Sequence, residues 1–496
     1  MTTTNRNTSS AIHLVPVWLT LMLLCLKASA RAQTTNATPS QSNSPAPQTE
    51  ISARPSFKQL RADEDWSLLR DPQRRRETLD TLKYIPIGQR AGWYLSFGGE
   101  IRPYYERYQH EDWGTEPEDE TGFLLQRYMV HADLHLGAHV RFFGQLKSGI
   151  ETGRRGGPRP PDEDKLDVHQ AFVQFSAQPT KEALLQLRIG RQELSFGSSR
   201  LVSTREGPNV RQSFDAVRLS LHARQWTLDA FASKPVQTKR GFFDDAANHA
   251  QTFWGIYAVR PWAALPLKGR VDLYYLRLAK KRARFAQGAG HERRHTIGAR
   301  VWNPRATWDY NVELVYQFGE FVTAQTSAIR AWTAASDTGY TWRRLPLNPR
   351  LGLKANVTSG DQDPADNKLE TFNPLFPKGA YFGQLSPVGP LNHRDLHPNV
   401  ELTLWQDIAL TADWVFYWRQ STRDAVYGIP GNLQRRGDQS AARFIGQQPG
   451  LEISWQANHH TTFTINYARF LAGRFLHETP PGRDITYFAA WLTYKF

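Results

Sequence analysis

From about Ala91 to the last residue, apolar and polar side chains alternate with period two, in segments of about ten residues. In WYLSFGGEIRPYYERY (93–108), Leu95, Phe97, Ile101 and Tyr105 share one face, and Glu100, Arg102, Tyr104 and Glu106 share the other. Further on, Tyr128, Val130, Ala132, Leu134 and Leu136 oppose Arg127, Met129, His131, Asp133 and His135. After a turn at Gly137-Ala138, Val140, Phe142, Leu146 and Ile150 oppose Arg141, Lys147 and Glu151. The pattern recurs near 185–189, 217–221, 226–232, 271–278, 312–318 and 399–405, and again in DITYFAAWLTYKF (484–496). Period two means strands with two unlike faces.

Short polar turns alternate with longer Gly/Pro/Asp-rich loops, such as 152–164 and 358–367. Together these features predict an all-β chain: one transmembrane antiparallel β-barrel over 91–496, whose last strand ends in Phe496. Hydrocarbon offers the backbone no hydrogen-bond partner, so a spanning sheet must close on itself, with lipid outside and water inside. A soluble sandwich or β-helix also alternates. The aromatic face that recurs from segment to segment, opposite full charges, favours the barrel. A terminal aromatic on such a strand resembles the signal read by bacterial barrel-assembly machinery.

Composition agrees once that geometry is allowed for. Hydrophobic residues make up 40% and mean hydropathy is −0.55, values that argue against a bundle of membrane helices. They do not argue against a barrel, where only alternate residues meet lipid. The 16 Trp, 18 Tyr and 26 Phe exceed ordinary needs and suit interfacial girdles. The only cysteine, Cys25, lies in the apolar run IHLVPVWLTLMLLCL (12–26), which is followed by small residues at 28–32. That run is too short for a spanning helix and reads as a signal peptide over 1–32. A buried helix is the alternative, and Leu24 argues against a lipoprotein site at Cys25. Residues 33–55 read as a disordered Ser/Thr/Asn/Gln/Pro spacer, and 56–90 as a charged N-terminal segment too poor in apolar residues for its own core.

Several stretches resemble the alginate export family of porin-like outer-membrane barrels. They are RADEDWSLLRDPQRR (61–75), LKYIPI (82–87), RIGRQELSFGSSRLV (188–202), SFDAVRL (213–219), ASKPV (232–236) and GFFDD (241–245). ERRHTIGARVW (292–302), WDYNVELVYQFGEF (308–321), TFNPLFPKGAYFG (371–383) and the terminal strand continue the series. The resemblance implies about 18 strands, an even number as single-chain bacterial barrels have. It also implies a narrow Arg/Lys-lined lumen, a place in the bacterial outer membrane, and passage of an alginate-like polyuronate or related anion. No motif in these stretches encodes the sugar. Lipid and lipopolysaccharide, and possible periplasmic export proteins, are the implied partners; nucleic acid, a cofactor and a metal are not.

Net charge is +14, from 61 Lys+Arg against 47 Asp+Glu. Arg102, Arg127, Arg141, Lys147, Arg188 and Arg218 fall at the inward parity, because each would cost about 2–4 kcal/mol facing lipid near the midplane. Glu100, Glu106, Asp133, Glu151 and Glu313 share it. Cation rings select anions, and interspersed carboxylates keep each site weak enough to release them. In GRQEL (190–194), Gly190 permits a bulge that would turn Arg191 and Glu193 into the lumen, with Arg200 on a loop folded inward. A salt-bridged wall is the plainer reading of these three, and a general or differently selective porin the plainer reading of the whole.

Asp361, Asp363 and Asp366 form an acidic loop that lacks the spaced glutamate of a calcium loop, so a solvated turn is expected. FNPLFP (372–377) cannot be an interior strand and is expected to lie in a long connection that packs against or partly occludes one mouth. No G-x-S-x-G, H-E-x-x-H or Walker A motif occurs, and a His pair at i, i+4 on a strand spans ~13 Å, too far for one metal. The pattern favours a channel over an outer-membrane hydrolase or an adhesion barrel, with no catalytic residues assigned.

Overall fold

The computed structural model describes residues 55–304 and 306–496, so the expected signal peptide and nearly all of the spacer lie outside the described residues. The chain forms a closed antiparallel barrel of 18 strands. Each strand pairs with the next along the chain. The first, Trp93–Gln109, then pairs with the last, Ile485–Lys495, from Glu100↔Lys495 to Gln109↔Thr486. Phe496 extends that seam: its amide donates to Gly99 O (3.1 Å), and Gly99 N donates to Phe496 O (2.9 Å). The Phe496 ring lies over Gly99, where a Cβ would fall 2.5 Å from the ring, so the position suits only glycine.

Alternation translates directly into two surfaces. Val130, Ile256, Leu273, Leu314, Leu351 and Ile465 are each about half exposed on the outside, where lipid would cover them. Their neighbours one residue away, such as Met129, Tyr257, Tyr274 and Val315, are buried inside. Glu100, Arg102, Arg127, Asp133 and Lys147 are buried on the inward face.

The two ends of the barrel differ. At one, strands join through turns as short as 181–182, 224–225 and 406–407; at the other, connections run over 193–213, 359–392 and 420–443. Short turns mark the periplasmic end of such barrels. Exposed Trp226, Trp262, Trp308, Trp342 and Trp405 cluster near those turns, as an interfacial girdle requires. Chain entry and exit lie at the same end. There, before the first strand, residues 56–84 fold as short 3₁₀ turns and one helical turn, with Trp66, Leu69, Tyr84 and Tyr94 packed together.

A cation on the outer face tests this architecture. Val130→Arg should destabilise the barrel by about 2–4 kcal/mol and abolish the heat-modifiable gel mobility of a folded barrel, whereas Val130→Leu should leave it intact.

Candidate pore and its constriction

Two of the long connections fold into the barrel instead of covering its rim. Within 193–213, Leu194, Phe196, Leu201 and Val202 pack on inward aromatic residues of the wall, including Phe214, Phe231, Phe253 and Tyr257. Phe372, Leu375 and Phe376 of the second connection, 359–392, join the same cluster. The two then bond to each other: Ser203 N donates to Phe376 O (2.9 Å), Phe376 N to Leu201 O (2.9 Å), and Lys378 N to Ser199 O (3.0 Å). Pro374 and Pro377 lack the donors a wall strand needs, which keeps this apolar stretch out of the sheet and available as filling.

Most inward arginines are neutralised. Arg127 Nε donates to Glu100 Oε1 (3.0 Å), and its Nη2 contacts the Glu206 carboxylate. Arg102 donates to the carbonyls of Glu206 (2.9 Å), Gly207 (3.1 Å) and Pro208 (3.1 Å). Arg211 bridges Glu193 (2.8 Å) and Glu206 (3.2 Å), and His169 Nε2 lies 2.9 Å from Glu193. This network locks the first loop to the wall. Burial alone would raise the Glu206 carboxyl; the Arg127 and Arg211 guanidinium groups outweigh it and hold the carboxyl below its ordinary value. Elsewhere Arg141 grips Asp133 through two bonds (2.7 and 2.6 Å), Arg218 pairs with Asp229 (2.8 Å), and Lys147 sits 2.8 Å from both Asp164 and Asp245.

Arg191 departs from the sequence expectation. No extra residue enters the ladder at Gly190: Ile189, Gly190 and Arg191 pair in step with Val217, Ala216 and Asp215. Arg191 therefore keeps the outward parity of Ile189 and closes on Asp215 (2.8 Å) near the long-loop rim. Glu193, past the strand end, does turn inward. Neither Glu206 nor Arg211 was legible in the pattern, because residues on an infolded loop carry no strand period.

Among the described residues, Arg188, Arg200, Arg205, Lys354 and Lys378 are five inward cations without a carboxylate at ion-pair distance; buried Arg419, which donates to backbone carbonyls, is another. Arg188 donates twice to Gln174 Oε1 (3.1 and 2.8 Å), and Arg200 once to Asn356 Oδ1 (2.7 Å). Arg205 lies 5.9 Å from the centre of the Phe376 ring. Lys378 is exposed to solvent in the lumen yet surrounded by the barrel; that enclosure and the nearby Lys354 ammonium both lower its pKa. Three of the five lie on the two infolded loops.

The acidic loop is an anchoring point. Asp361 N donates to Asp424 Oδ2 (2.9 Å), Asp363 N to Asp361 Oδ1 (2.9 Å), and Gln287 contacts the other Asp361 oxygen. Asp366 turns to Lys368 (3.0 Å), so the three carboxylates do not converge. Among the described residues the carboxylates that do converge, within 4.8 Å, are Asp164, Asp167 and Asp245, with the Lys147 ammonium already between two of them.

Residues 93–489 match the family described as Alginate export. No curated protein matches the sequence. Among solved structures, the chain is similar to OccD3 (OpdP) of Pseudomonas aeruginosa, with a TM-score of 0.53 and 12% identity, over 83% of this chain and 95% of that one. OpdK of the same organism, solved with vanillate, gives a TM-score of 0.53 and 10% identity over 81% and 98% of the two chains. A BenF-like porin from Pseudomonas fluorescens gives the same TM-score, identity and coverage. These likenesses establish a porin fold.

Burial raises the Asp361 carboxyl to about 7, well above its usual 3.8. A carboxyl that holds its proton more tightly when folded makes ordering this loop less favourable as pH rises across that interval. Amide protection over 360–371, corrected for intrinsic exchange, should fall from pH 4 to pH 7 and become flat in Asp361→Asn. A flat profile in the unaltered chain would contradict the assignment.

Proposed function

The chain belongs to the alginate export family, and from that premise we propose that this passive outer-membrane channel selects anions and carries an acidic polysaccharide of the polyuronate class. The observation behind the reading is that Arg188, Arg200, Arg205, Lys354 and Lys378 stand in the lumen without a carboxylate at ion-pair distance. A paired arginine adds little net field, since its carboxylate cancels it within a few ångströms. An unpaired one inside a low-dielectric tube attracts anions and raises their local concentration. Guanidinium groups also match a carboxylate with two parallel bonds, so Arg188, Arg200 and Arg205 suit a uronate better than chloride.

In this reading the residues divide by task. Arg102, Arg127 and Arg211, with Glu100, Glu193 and Glu206, hold the first loop in place. Arg205 and Lys378, on facing loops, form the narrow selecting passage, and Arg188, Arg200 and Lys354 extend it along the wall. Glu452 and Asp337 act electrostatically on Lys378 from the wall, which weakens each contact enough for the polymer to advance. The narrowing by two loops also suits a small carboxylate solute, and block by polymer separates the two cases.

Planar-bilayer currents test the proposal. Arg205→Glu with Lys378→Glu should abolish the preference for chloride over potassium and weaken polyuronate block by about tenfold, the factor carried by one lost charge-assisted bond. Arg141→Gln with Asp133→Asn removes a neutral pair and should leave selectivity unchanged. Unaltered selectivity in the first variant, or a loss confined to the second, would refute the assignment.

A further inference from the structure

Residues 57–84 enter the lumen rather than resting beneath it. Ala62 is 3% exposed and packs against Phe143 and Phe172, two stacked inward rings of the wall. A Cβ on inward-facing Gly98 would fall 2.5 Å from the Lys83 ammonium. At its leading end the segment reaches the infolded loop: Gln59 Nε2 donates to Thr204 Oγ1 (3.2 Å), and Arg211 Nη2 donates to Gln59 O (2.9 Å). Buried Arg61 clasps the barrel seam, donating to Gly99 O (2.7 Å) and Phe496 O (2.9 Å) while paired with Glu64 (2.7 Å).

Asp63 and Asp65 point away from these anchors and are exposed. They line a cavity of about 370 Å³ whose other side includes Arg141, Arg188, Gln174 and Gln186. Asp63 is the strongest attractive charge acting on Arg188, ahead of Asp133, and it acts on Arg141 and Arg218 as well. Among the described residues, the backbone ladder that joins the segment to the sheet is two residue pairs at its end, Ile85↔Leu95 and Pro86↔Tyr94. So slight a backbone attachment opens at far lower free energy than a wall strand does.

We propose that residues 57–84 are an autoinhibitory plug at the short-turn mouth, whose Asp63 and Asp65 stand where the carboxylates of a passing polyanion would meet Arg188. This rests on the anion-selective reading for the nature of the competitor, but not for the existence of the plug. An incoming polyuronate displaces the internal carboxylates, the segment swings out on its attachment at Ile85–Pro86, and the released Arg188 joins the path.

Two measurements on the full-length chain test it. In bilayers, Arg61→Ala removes both seam bonds and should raise the time spent at a larger conductance level by about tenfold, the shift expected from one net hydrogen bond to a charged group. In parallel, Ala62→Cys in a Cys25→Ser background should resist a membrane-impermeant maleimide and become reactive when polyuronate is added. Channels of Arg61→Ala that gate like the unaltered protein would overturn the plug. So would an Ala62→Cys thiol that stays protected while polymer blocks or crosses the pore, a result that remains available if the arginine variant fails to assemble. Larger openings in a pore without anion preference would sink the selectivity reading alone. Anion preference with unchanged gating would sink the plug alone.

Discussion

The pairing of the first strand with the last is the constraint from which everything else follows. A bilayer cannot satisfy a free amide, so the sheet must close, and the Gly99–Phe496 hydrogen bonds continue that closure beyond the last ladder pair. Once it is closed, every strand has one face toward lipid and one toward water. Charged groups have a single place to go. Cations in the spanning part of the wall are thereby brought into a narrow tube, where each finds a carboxylate or remains as a source of field.

The structure meets that demand in two ways. Wall arginines such as Arg127, Arg141 and Arg218 are matched with carboxylates, because a charge fixed in a crowded interior is tolerable only when its partner is fixed beside it. Those pairs give the tube its rigidity and hold the first loop. Of the cations left over, Arg200, Arg205 and Lys378 sit on the infolded loops. Paired and unpaired cations thus occur on both the wall and the infolded loops, the loops carrying Arg200, Arg205 and Lys378.

Much of this was legible in the sequence. Period two identified the strands, and the cost of charge in lipid assigned Arg102, Arg127, Arg141, Lys147, Arg188 and Arg218 to the inward face. The proline spacing of FNPLFP marked a stretch that could not be a strand, and it fills the lumen. Parity reasoning failed where backbone detail mattered: Gly190 adopts a positive φ without adding a residue to the ladder, so Arg191 stays outside. It was silent on Glu206, Arg205, Arg211 and Lys378, since a loop that turns inward does so through tertiary contacts and leaves no periodic trace. The same holds for residues 57–84, whose short turns take their place only because Phe143, Phe172 and the seam are there to receive them.

The account's central claim is that unpaired lumen cations dominate the electrostatics of the pore. The most direct test is the reversal potential of the unaltered channel in a planar bilayer with a potassium chloride gradient at neutral pH. The account predicts a reversal potential with the sign of the chloride equilibrium potential, shrinking as ionic strength screens the lumen. A reversal potential with the sign for potassium would contradict it.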